Sequence, residues 1–315
     1  MSALAFSIVA LLLVGPVPAL LARASWPQRA PRAAIVLWQA IALAAVLSAF
    51  SAGIAIASRL LVPGPDGKPT ATLTSEIGVL GWPLWLLYVC VLAVTLMIGG
   101  RLIVSVLAVA VATRRRRAHH RMLVDLLGMS RDAVPAPARR RSGLRVLDIA
   151  QPMAYCLPGV RSRVVVSEGT LTSLSASEIE AILSHERAHL RARHDLVLEM
   201  FTAMRAAFPR FVRSASALDA VRLLIELLAD DAAVRVTGPT PLARALVACA
   251  ASHTPSGALA AGGPTTVLRV RRLGGAGNSL VLAVGAYLAA AAIMVVPTLA
   301  LAIPWLTELH RLFAN

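Results

Sequence analysis

The chain has 315 residues, 57% of them hydrophobic, with a mean hydropathy of +0.73 and a formal charge of +15. Soluble enzymes average about 45–50% apolar residues, so the composition excludes an ordinary soluble enzyme and indicates a membrane protein. All but one of the 31 basic residues are arginine, and 24 of these lie between Arg114 and Arg272, interleaved with 13 of the 16 acids. No nucleic-acid motif accompanies that charge, so it reads as an Arg-rich domain near anionic headgroups, with no direct nucleic-acid partner.

The first element is an uncharged run from Ala3 to Ala22, long enough to cross a bilayer core and broken by Gly15-Pro16-Val17-Pro18. It lacks a basic n-region, which favours a retained, kinked helix over a cleaved signal peptide. A second run, Ala33–Val62, carries Arg59 near its far end and is followed by the turn-rich segment Pro63–Pro69. The third, Trp82–Thr113, is too long for one upright span and too short for two, so a tilted helix should continue past the interface. Within it, Arg101 is expected to snorkel to the interface. A basic helix, Arg114–Met129, should follow, with His119 and His120 on its solvated face and a flexible connection over 132–142 beyond it. Short strands are predicted over Gly143–Ile149 and Arg161–Val166.

Ser175-Ala176-Ser177-Glu178 has the form of a capping box, so a helix should begin near Ala176. Helices are also expected over Asp195–Phe208 and Ala217–Val236, and a fourth apolar span over Ser279–Leu306 with Pro297 and Pro304 inside it. Arginines flank the loop after the first span and both ends of the segment between the third and fourth. By the positive-inside rule both termini then face outward and 114–278 is cytoplasmic. The expected organisation is three spans within 1–113 (about 3–22, 33–62 and 82–113), a cytoplasmic domain over 114–278 with its own core, and a fourth span with a short outer tail over 279–315.

The helix that starts at Ala176 carries His185-Glu186-Arg187-Ala188-His189, an H-E-x-x-H pattern. One turn apart on one face, His185 and His189 can ligate a single zinc ion, while Glu186 is placed as general base. A catalytic zinc takes three protein ligands, and Glu226, 37 residues after His189 in Glu226-Leu227-Leu228-Ala229-Asp230, is the expected third. Asp230, one turn on, is placed to hold a histidine ring by its other nitrogen, with Asp231 as the alternative at an offset phase. The chemistry implied is metal-assisted peptide hydrolysis, in which Glu186 carries the proton of the attacking water to the leaving amine. His194, Tyr155, Arg235 and His253 are candidates for stabilising the oxyanion, although His194-Asp195 near the helix end also reads as a cap and dipole partner. The strand Arg163-Val164-Val165-Val166-Ser167 is expected at a sheet edge, where an extended substrate could add. Cys90, Cys156 and Cys249 have neither disulfide nor zinc-site spacing and read as small core residues.

From Ala154-Tyr155-Cys156-Leu157-Pro158-Gly159 through Val164–Gly169 and His185–His189 to Glu226–Asp230, the chain resembles the membrane-embedded gluzincin peptidases of the BlaR/MecR antirepressor family. H-E-x-x-H with E-x-x-A-D is also found in the CAAX-prenyl and heat-shock membrane proteases. The resemblance implies a mainly α membrane protein of four transmembrane helices with a cytoplasmic α+β zincin-like domain and one zinc ion per chain. It also implies cleavage of a winged-helix transcriptional repressor and of the chain itself, and it is compatible with a homodimer. The family's penicillin-binding domain, with its S-x-x-K serine, has no counterpart before Asn315, so covalent β-lactam binding is not expected. Two other readings stay open: a quality-control protease of membrane proteins, and a non-catalytic membrane sensor whose zinc is structural.

Overall fold

The structure, a computed structural model, describes residues 2–60, 73–128, 143–159, 161–208, 215–250, 259–260, 265–275, 277–304, 306–307 and 310. The loop expected over Pro63–Pro69 and the connection over 132–142 lie outside the described residues. Helices α1 (Ser2–Val14) and α2 (Pro16–Arg23) divide at Gly15-Pro16, where proline supplies no N–H to continue the ladder. After a 3₁₀ turn at Trp26–Arg29 come α3 (Pro31–Ala57), α4 (Leu73–Leu80) and α5 (Trp82–Leu127). The third apolar run and the basic segment after it are therefore one 46-residue helix, since no proline or glycine pair stops the hydrogen-bond ladder at Arg114. Strands β1 (Leu144–Leu147), β2 (Ala154–Leu157) and β3 (Arg163–Ser167) lead into α6 (Glu168–Ser173). Then follow α7 (Ala176–Ala192), α8 (His194–Ala207), α9 (Ala215–Thr237) and α10 (Pro239–Ala248). The two-residue strand β4 (Leu259–Ala260), α11 (Thr266–Leu273) and α12 (Leu280–Pro297) complete the order, with a π turn after Pro297.

Among the described residues, four helical stretches are long and apolar enough to cross a membrane: Ala3–Arg23, Pro31–Leu60, Trp82–Leu127 and Leu280–Ala300. Thr95 is the one buried residue in the apolar stretch of α5, the rest being half-buried or exposed. Against α3 it packs closely: a Cβ added at Gly99 would meet the Phe50 ring at 2.8 Å, and one at Gly53 would collide with Thr95.

The sheet order is β1-β3-β2-β4, with β3 parallel to β1 and antiparallel to β2. Its middle strands are covered on both faces, which explains the unbroken apolar run Val164–Val166. Val164, Val166 and Cys156 pack toward Ile179, Ile182 and Leu183 of α7, whereas Val165, Tyr155 and Leu157 pack toward Val124 of α5. The edge position expected of Arg163–Ser167 is corrected by this topology. Strand β3 is hydrogen-bonded on both sides, and among the described residues the outer strands are β1 and β4.

Helix α9 links two cores. Leu218, Val221, Leu224 and Ile225 pack with α3, α12 and Phe201 of α8, while Ala233 packs with α7 and α10 beneath the sheet. The core expected to belong to 114–278 alone is thus shared, because α8 and α9 present apolar residues that α1, α3 and α12 cover. Polar contacts fasten α5 to the same body. Arg117 pairs with Asp195 at 3.0 Å and Glu199 at 2.7 Å, His120 Nε2 meets Tyr155 Oη at 3.0 Å, and Asp125 bridges Arg145 and Arg163. His120 is therefore engaged rather than solvated. Arg101 is engaged as well: its Nε donates to the Ala207 carbonyl at 2.6 Å, at the C-terminal end of α8 where a cation is favoured. Cys156 and Cys249 are buried as expected, but Cys90 is exposed on α5.

The capping box is formed: Ser175 Oγ accepts from Glu178 N, and Ser175 N donates to Glu178 Oε2 at 2.8 Å. Ser175→Ala should lower stability by about 1 kcal/mol, read as an earlier unfolding midpoint in denaturant.

Candidate metal centre

The buried, capped helix α7 delivers His185, Glu186 and His189 to a position facing α9. His185 and Glu186 are fully buried and His189 is 1% exposed. The two Nε2 atoms lie 3.1 Å apart. From α9, Glu226 brings Oε2 to 3.4 Å from His185 Nε2 and Oε1 to 3.6 Å from His189 Nε2. These three side chains form a group whose ligand atoms all lie within 4.8 Å of one another.

The fit to a cation can be tested by geometry. Tetrahedral zinc with bonds of about 2.0–2.1 Å separates its ligand atoms by about 3.3 Å, close to the three spacings above. Two imidazole nitrogens and one carboxylate also form the donor set suited to zinc. The residues present fit the ion.

Each histidine is backed on its remote nitrogen. Asp230 Oδ1 lies 3.0 Å from His185 Nδ1, as expected of Asp230. Asp231 does not share that role; it pairs with Arg272 at 2.7 Å, its phase on α9 turning it away from the site. His194 Nδ1 lies 3.0 Å from His189 Nδ1, so its place is behind a ligand. Arg193 makes this possible: in the left-handed conformation, at φ 51 and ψ 42, it ends α7 and turns α8 back so that His194 reaches His189. With His189 Nε2 reserved for a metal, its Nδ1–H donates and His194 Nδ1 accepts.

The other oxyanion candidates are elsewhere. Tyr155 lies on the face of β2 that meets α5, Arg235 is exposed on the side of α9 opposite Glu226, and His253 is outside the described residues. The residue that sequence reasoning missed is Arg269, 1% exposed, on α11. Its Nε and Nη2 donate to the two oxygens of Asp230 at 2.8 and 2.6 Å, and its Nη1 lies 3.0 Å from Glu226 Oε2. In the sequence it is one of three arginines ahead of an apolar span; no local pattern marks it.

Burial and charge tune these groups in different directions. Burial opposes a charge on His185, but Asp230 and Glu226 raise its pKa to about 9. Burial holds His189 down to about 3 and His194 down to about 4, so both are neutral at pH 7. Burial also disfavours the Glu226 carboxylate, yet the two histidines and Arg269 hold its pKa below the ordinary value. Asp230 is lowered further by Arg269 and His185, against its own burial. Glu186 is pushed up to about 8, chiefly by burial; among the described residues no nitrogen or oxygen donor reaches its oxygens, and the Cys156 thiol is its hydrogen-bonding neighbour. Burial and the nearby Glu186 keep the Cys156 thiol well above its usual range, and Cys249 is pushed up to about 12, so neither offers a thiolate.

A cation entering this group must displace the proton from His185. Zinc uptake at pH 7 should therefore release at least one proton, and affinity should rise with pH up to about 9. Calorimetry in buffers of different ionisation enthalpy measures this. Proton-neutral uptake contradicts the assignment.

No curated protein and no solved structure matches the chain. The sequence signature of peptidase family M48 matches residues 132–223, a stretch that holds His185, Glu186 and His189 and ends before Glu226. The match supports a zincin-type metallopeptidase for the part of the chain it covers, and the third ligand rests on the geometry of α9.

Proposed function

We propose that the chain is a membrane-bound zinc metalloendopeptidase acting in regulated proteolysis. The observation that carries this reading is Glu186, a fully buried carboxyl next to the histidine pair whose pKa is raised chiefly by that burial. A purely structural metal site has no use for such a group. A general base does, because a raised pKa near the working pH lets it both accept and return a proton.

Zinc, when bound, supplies the Lewis acidity that makes water a nucleophile at neutral pH. Glu186 takes the proton of the attacking water on a carboxylate oxygen and delivers it to the nitrogen of the leaving amine. Asp230 and His194 fix the two imidazole rings, and the apolar wall of α7 and β2 keeps bulk water from the carboxyl. An extended substrate would join an outer strand of the sheet, or replace β4 on β2.

Membrane residence is supported by the four apolar helices, and a cytoplasmic site by the arginines that flank 114–278. With these supports the substrate is proposed to be a cytoplasmic regulator, a winged-helix repressor by resemblance, with cleavage of the chain itself as a second product.

Glu186→Gln in the purified protein should keep its zinc and lose about a hundred- to ten-thousand-fold in cleavage rate. Retained cleavage contradicts the assigned base. In cells, deletion should raise the level of one repressor; a rise in many misfolded membrane proteins would favour quality control instead.

A further inference from the structure

Helix α11 carries Arg269 and Arg272 one turn apart, and the two hold different parts of the molecule. Arg269 grips Asp230 and Glu226 of α9. Arg272 joins three elements. Its Nη1 and Nη2 donate to Asp231 of α9 at 2.7 and 3.2 Å, and Nη2 also donates to Asn278 Oδ1, ahead of α12, at 2.7 Å. Its Nε donates to the Gln28 carbonyl, in the turn between α2 and α3, at 2.7 Å. Asn278 Nδ2 closes the cluster on Asp231 at 2.8 Å, and Ser279 N donates to the Arg29 carbonyl at 2.7 Å. The turn between the first and second apolar helices and the head of the last one therefore meet α9 at the residue next to Asp230.

We propose that α11 is a bracket in which Arg272 anchors the junction of the apolar helices and Arg269 positions Glu226 and Asp230, so that the metal affinity of the site depends on the seating of that junction. The proposal rests on the metal shell described above and adds the regulation of it. Arg272 is a positioning residue: it touches neither the metal ligands nor Glu186 and acts through the pose of α11. Two physical points support the coupling. A short helix of eight residues has little stability of its own, so its pose is set from outside, by Val270 and Leu273 against the core and by the groups that Arg269 and Arg272 grip. A guanidinium fork also holds carboxylates at fixed angles, so a shift of α11 moves the Glu226 carboxylate rather than only weakening a charge contact.

The sign of the effect separates positioning from plain electrostatics. Removing a positive charge near a cation site favours cation binding, whereas disordering a ligand weakens it. Arg272→Lys keeps the charge and loses the fork. Zinc affinity of the full chain in detergent micelles, measured by competition with a chromophoric chelator, should fall roughly three- to thirty-fold in this variant. Arg269→Lys should cost about ten- to a hundredfold. The double variant should be no weaker than Arg269→Lys alone within a factor of two, because both act through one helix pose. Circular dichroism confirms that the variants fold. Should Arg272→Lys fail to fold, Asn278→Ala, at an exposed position, serves instead, with a fall in affinity expected there too. Unchanged or tightened zinc binding in the variant used, or full additivity in the double variant, overturns the bracket. An unaltered protein that takes up no zinc overturns the metal shell itself, a different result from zinc uptake untouched by Arg272.

Discussion

Two carboxylates on one turn of α9, Asp230 fully buried and Glu226 largely so, have to stay ionised, and the guanidinium of Arg269 makes that possible. Removing a carboxylate from water without compensation costs several kcal/mol, more than any single apolar contact returns. Arg269 donates to both oxygens of Asp230 and pairs with Glu226, so one cation serves both groups. Much of the architecture follows from that requirement. Helix α11 must lie against α9, and α9 must turn one face to the site while its ends pack into two cores. The histidines of α7 complete the balance, since His185 faces Asp230 and both Nε2 atoms face Glu226.

The same arrangement explains why the proposed general base stands apart. Glu186 shares α7 with both histidines but, among the described residues, forms no ion pair with an arginine, and its pKa rises where those of Glu226 and Asp230 fall. Two kinds of carboxylate, structural and reactive, are therefore distinguished by partners rather than by residue type. The turn at Arg193 adds a neutral histidine behind His189, so the two ligand rings are held by different chemistry, a carboxylate for one and an imidazole for the other.

Much of this was legible in the sequence because it is local. The capping box, the i, i+4 spacing of His185 and His189, and that of Glu226 and Asp230 are all fixed by helical phase, and the structure places each as that phase requires. The kink at Gly15-Pro16 is legible for the same reason. What escaped depends on tertiary placement. Arg269 looks like any arginine ahead of an apolar span, His194 like a helix cap, and Arg101 like a snorkelling side chain until Ala207 is brought beside it. Strand β3 has the composition of a buried strand, and the edge expected of it conflicted with its own unbroken run Val164–Val166. The shared core was hidden because apolar residues facing a bilayer and apolar residues facing another helix have the same composition.

His185, His189 and Glu226 would hold one zinc ion without help from the buried thiols. X-ray absorption at the zinc edge on the metal-loaded protein tests it most directly. The predicted result is a shell of nitrogen and oxygen at about 2.0–2.1 Å with the multiple-scattering signature of two imidazoles. A sulfur shell at about 2.3 Å, or a shell with fewer than two imidazoles, would contradict it.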